Sequence, residues 1–168
     1  MFERPRISYI VMVLLLILPQ SLYVIGDYLA VGIRFPFFRI QDSSYGSSSI
    51  TVVQDVRYVI RGTVGGLAGR TALATYAWVA GLVVLVAAAI LVLSWHLLEN
   101  SDYARFPGPL IVLAGVFFLA WGMIQYGPLF SGVSGYAVPV GVPILWYCGY
   151  QFILAAKRVE AQPAPVDS

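Results

Sequence analysis

His96, Glu99 and Asp102 stand three residues apart at the end of a long apolar run. On a helix that spacing stacks them on roughly one face, and an imidazole with two carboxylates is an acceptable ligand trio for a divalent metal. Asn100 and Ser101 between them favour a fraying helix end, so a polar terminus meeting lipid headgroups beside Trp95 accounts for the same residues. The lone histidine excludes bis-histidine haem ligation within the chain, and the one cysteine, Cys148, can form neither an intrachain disulfide nor a thiolate zinc cage. Cys148 also has no base near it in sequence, and the chain contains no phosphate-binding glycine loop, nucleophile elbow or HExxH motif. No cofactor, no metal and no catalytic residue is therefore expected.

Two further polar side chains border apolar segments. Asp27 lies just past the first apolar core, where it could pair with Arg34 or Arg70 or simply be solvated. Gln20 follows Pro19, which lacks an N–H and frees the carbonyl four residues earlier. Gln20 could hydrogen-bond that carbonyl or a neighbouring helix, and a lipid or quinone docking at the kink is compatible with the same residues.

The elements that must position these groups follow from composition. With 60% hydrophobic and 11% charged residues in a chain of 168, there is more apolar surface than one soluble core of this length can enclose. The expected solvent is a lipid bilayer, whose hydrocarbon core needs roughly 20 mostly apolar residues per helical crossing. The net charge of +2 comes from scattered basic residues, which excludes a nucleic-acid partner. Four segments meet or approach the length requirement, at about 7–25, 71–97, 110–125 and 137–156. The expected fold is thus an all-α membrane protein, a four-helix transmembrane bundle in one domain over 1–160 with a disordered Pro-rich tail over 161–168. Pro19 is expected to bend the first helix.

The segment 34–70 is the one long extramembrane connection. From Ile50 to Ile60 its apolar and polar residues alternate, which reads as a half-buried strand. With the β-prone stretch Phe35 to Ile40 and the turn cluster Asp42 to Ser47, it predicts a small β-hairpin-like loop, an amphipathic interfacial helix being the rival reading. Gly62, Gly65, Gly66 and Gly69 read as a hinge. The connection Tyr126 to Tyr136 reads as a plain turn, and Tyr76, Trp78, Trp121, Tyr126 and Tyr136 as an aromatic belt at the loop-side membrane interface, with Trp95 and Tyr103 at the other. Basic residues divide evenly between the two sides. Arg4, Arg6, Lys157 and Arg158 directly flank the end helices, so both termini are expected in the cytoplasm of a multi-pass cell-membrane protein.

Small residues recur every seven positions as three stripes: Ala74, Gly81 and Ala88; Gly108, Gly115 and Gly122; Gly141, Cys148 and Ala155. Seven residues are nearly two helical turns, so each stripe offers one face for close helix packing in lipid. None of the four apolar cores contains Asp, Glu, Lys or Arg, groups that ion pathways ordinarily require.

This plan of four helices, a long β-prone first loop and a short third loop resembles the layout of claudin-type tetraspan proteins. Those proteins carry a Trp and paired-Cys signature in the first loop, whereas 34–70 contains neither Trp nor Cys, so the resemblance is confined to layout. It agrees with the functional expectation: a non-catalytic scaffold, adhesion-like protein or accessory subunit that meets a protein partner or another copy of itself through its first loop. A small oligomeric transporter or channel is the alternative, and a metal-dependent membrane enzyme using His96, Glu99 and Asp102 the third reading.

Overall fold

A computed structural model describes residues 5–26, 28–62, 69–98 and 105–161 of the chain. The first apolar run stays helical only as far as α1 (Pro5–Ile17). Pro19 cannot donate to a helical ladder, and the β-branched and aromatic residues after it pair with other strands instead. At about 1.5 Å per residue the 13 residues of α1 cover roughly 20 Å, well short of a hydrocarbon core. The expected single helix over 7–25 is therefore a short helix followed by β1 (Ser21–Ile25).

β1 opens a six-stranded antiparallel sheet that overturns the all-α expectation. It pairs with β2 (Ala30–Arg34), which pairs in turn with β3 (Phe38–Ser43) and then β4 (Gly46–Thr51). On its other side β1 takes β6 (Gly135–Val138), which carries the two-residue β5 (Ser131–Gly132). The spatial order is β4-β3-β2-β1-β6-β5. The β3–β4 hairpin turns at Ser44 and Tyr45, inside the predicted turn cluster. The third connection, expected to be a plain turn, instead contributes strands. Gly135 makes that possible: it adopts φ +119°, and a β-carbon there would collide with the Val24 carbonyl oxygen.

The predicted strand over Ile50–Ile60 is a second correction, because the chain turns helical at Val52 to form α2 (Val52–Ile60). Thr51 caps this helix. Its hydroxyl accepts from the Gln54 backbone N–H while the Gln54 side chain accepts from the Thr51 N–H, a reciprocal capping box. On a helix Asp55 and Val59 fall one turn apart on the same side, and both are buried.

The remaining helices follow their predicted ranges closely. They are α3 (Arg70–Leu98), α4 (Pro107–Tyr126) and α5 (Val142–Ala161), the last starting later than expected because 137–138 belong to β6. α4 starts at the Pro107-Gly108-Pro109 sequence, with Pro at its first turn as helix N-termini favour. Connectivity brings every strand to one end of the helices. α3 packs against α4, α4 against α5, and α1 mainly against α3. One apolar core runs from Met12 and Leu15 of α1 through Leu85, Phe118 and Leu145 to Tyr23 and Ala137 of the sheet.

All nine residues of the three small-residue stripes are buried. A β-carbon on Gly115 would lie 2.6 Å from Trp146 Nε1, and one on Gly108 would lie 2.8 Å from the Gly149 carbonyl oxygen. Two helices, α3 over Arg70–Trp95 and α4 over Pro107–Tyr126, are long and apolar enough to cross a membrane.

Candidate functional site

The charged residues of the first connection converge beneath the sheet. Arg34 ends β2, and the antiparallel register sets Arg39 of β3 directly opposite it. Two guanidiniums side by side repel, and α2 supplies the counter-charge: Asp55 Oδ2 accepts from Arg34 at 2.9 Å, and Asp55 Oδ1 pairs with Arg39 at 3.1 Å. Arg34 is only 5% exposed and Asp55 8%, so this is a buried ion cluster.

Aromatic side chains from the helices wall the cluster in. The Arg34 guanidinium carbon lies 4.4 Å from the Trp78 ring centre and 4.8 Å from that of Trp121, both cation–π distances. The two indoles meet edge to face at 5.0 Å. Trp78 Nε1 donates to the Pro36 carbonyl at 3.0 Å, which ties the β2–β3 turn to α3. Burial lowers the Arg34 pKa to about 10 against the pull of Asp55, so the guanidinium remains charged at neutral pH. Burial also raises the Tyr23 pKa, keeping the phenol neutral there.

A cavity of about 70 Å³ lies alongside, reached by Arg34, Arg39, Asp55, Tyr23, Gln125 and Tyr126. Two polar atoms in this part of the molecule are buried without a hydrogen-bond partner: Arg39 Nε and Gln125 Oε1.

The opposite face of the same sheet is apolar over β6, β1, β2 and Ile40 of β3, and polar toward β4, where Asp42, Ser47 and Ser49 lie. The register aligns Val138, Leu22, Ile33 and Ile40 in one row across four strands, with Tyr136 and Val31 in the next row. These six side chains are between 39% and 49% exposed, whereas Val24 between Tyr136 and Val31 is buried.

The residues singled out from sequence take other places. Gln20 is fully buried, and its Nε2 donates to the Leu18 carbonyl at 3.0 Å and, at a longer 3.4 Å, to that of Leu15, the carbonyl Pro19 leaves free. Gly141 packs directly on Gln20, so no space for lipid or quinone remains at that point. Asp27, Glu99 and Asp102 lie outside the described residues, as does the side chain of His96. Arg34, offered as a partner for Asp27, is engaged by Asp55, while Arg70 Nε donates to the Ile124 carbonyl. Among the described residues no group of three metal-ligating side chains occurs. Of the expected aromatic belt, Tyr76 and Tyr136 are exposed; Trp78, Trp121 and Tyr126 are buried and pack around Arg34 or one another.

Sequence reasoning missed the Arg34–Asp55–Arg39 cluster because it placed Asp55 on a strand. One signal was present: Thr51-Val-Val-Gln54 is a capping-box sequence, and reading it as such puts Asp55 on the buried face of a helix. No protein-family model matches the chain, and no curated protein matches it in sequence.

Proposed function

We propose that the chain is a membrane-anchored, non-catalytic component of a protein assembly, with the outer face of its sheet as the docking surface. The observation that carries this reading is the row Val138–Leu22–Ile33–Ile40, a continuous apolar strip exposed on a rigidly held sheet.

Membrane anchoring rests on α3 and α4. Only 28% of the apolar window of α3 is buried, whereas the core helix of a water-soluble protein is mostly buried. Leu73, Val83, Ile90, Leu93 and Leu97 instead point outward, and Ile10, Leu14 and Ile17 of α1 do likewise. The sheet itself belongs in water. An open sheet in hydrocarbon would leave the amides of its edge strands β4 and β5 unpaired, and β4 carries Ser47, Ser48 and Ser49. An apolar strip in water is a protein-interaction surface. The partner is another protein chain, a second copy included.

Two experiments test this. The protein should stay with membranes through an alkaline carbonate wash. Purified in mild detergent, it should retain a stoichiometric partner that an Ile33→Glu, Ile40→Glu variant loses while keeping its tryptophan fluorescence. An unchanged complex in that variant would refute the docking surface. Solute flux through liposomes holding the protein alone would favour the oligomeric transporter instead.

A further inference from the structure

The cavity under the sheet carries one positive charge too many. Among the described residues Asp55 is the only carboxylate lining it, and each of its oxygens is already taken by one guanidinium. Two cations against one anion leave an excess of +1, which reaches solvent only through the 21% of the Arg39 side chain that is exposed. Arg39 Nε presents a buried N–H with no acceptor, which adds a second unmet demand for negative charge at the same place.

The cavity has room to meet it. One water needs about 10–15 Å³ of such space, so about 70 Å³ holds a few groups of that size and is too small for a nucleotide or a whole lipid headgroup. Gln125 also lines the cavity, and its buried Oε1 has no donor. Rotating that amide by half a turn exchanges O for NH₂ and aims a second donor where the oxygen now stands. The Tyr126 hydroxyl adds a neutral donor at the wall, while that of Tyr23 already donates to Gln41 Oε1 at 3.4 Å.

We propose that this cavity is a binding site for one small monoanion, a halide or a carboxylate, held by the guanidinium of Arg39 and the amide of Gln125. The charge excess matches one negative charge rather than two, and the volume matches a small ion. The site lies between the inner face of the sheet and the end of α4 and is independent of what docks on the outer face.

The full-length protein in mild detergent, in sodium gluconate at fixed ionic strength, supplies the reference thermal unfolding curve, followed by tryptophan fluorescence. Gluconate is then exchanged for chloride in one arm and acetate in another. At least one arm should show a saturable rise in Tm, about 5 °C once the anion exceeds its Kd a hundredfold, and the arm that responds identifies halide or carboxylate. Gln125→Glu places a permanent carboxylate in the cavity; it should raise Tm in gluconate and abolish the response to both anions. Identical wild-type curves in all three salts would overturn the site. So would a Gln125→Glu protein that responds as the wild type does, or one less stable than the wild type in gluconate.

Discussion

The two faces of the sheet invert the arrangement of a water-soluble protein. Sheets with one solvated face ordinarily turn apolar side chains to the core and polar ones to water. Here the inner face carries Arg34, Arg39, Gln41 and Tyr23 beside Ala30 and Ala137, and the outer face carries Leu22, Val31, Ile33, Ile40 and Val138, turning polar at Asp42, Ser47 and Ser49 toward β4. The inner face can be polar because its charges are matched at close range by Asp55 and by the faces of Trp78 and Trp121. Among the described residues no such compensation exists for the exposed apolar side chains of the outer face. The difference separates the two faces: the inner one fixes the sheet on the helix ends, and the outer one stays partly exposed, which is what the proposed docking surface rests on.

Mutations that tell the two faces apart should differ widely in cost. Asp55→Ala removes the shared carboxylate and leaves two guanidiniums facing each other beneath the sheet. Equilibrium unfolding in detergent should show a loss of about 3–5 kcal/mol, the range for breaking a buried ion pair. A loss under about 1 kcal/mol would mean that water already reaches the cluster. Gly141→Ala comes next. Its new methyl would lie 2.7 Å from the Pro19 carbonyl oxygen, a backbone atom that cannot rotate away, and should cost about 1–3 kcal/mol by overpacking the link between the sheet and α5.

Thr51→Ala loosens the inner face indirectly, by removing the cap that aligns α2 and hence Asp55. About 1 kcal/mol is expected, and the Asp55→Ala background should shrink that figure if the cap acts through the carboxylate. Ile33→Ser on the outer face should change monomer stability by no more than about 0.5 kcal/mol, because the side chain is already exposed. A destabilisation above about 2 kcal/mol would show that the outer face is covered within the chain and would remove the contrast between the faces.

Long apolar stretches were legible in the sequence wherever nothing competed with them. α3 and α4 lie within three residues of their predicted bounds, and the seven-residue spacing of Gly108, Gly115 and Gly122 marked a packing face before any contact was known. Competition defeated the reading at residues 19–25 and 50–60. Apolar, β-branched residues after Pro19 suit a helix in lipid or a central strand equally well, and pairing with β2 and β6 decided for the strand. Between Ile50 and Ile60 a period of two and a helical cap coexist in the same residues, and the cap prevailed.

By itself, the sequence determined where the long apolar helices run, two of them long and apolar enough to cross a membrane, and which small residues let them approach. These are local properties of composition and spacing, set by length and by helical period. Only the tertiary structure decided that Arg34, Arg39 and Asp55 meet. They come from three elements, with Arg34 and Asp55 21 positions apart, and their contact depends on strand register and on the angle at which a capped helix leaves the sheet. Register is a property of paired strands rather than of either strand alone, so no single stretch of sequence contains it.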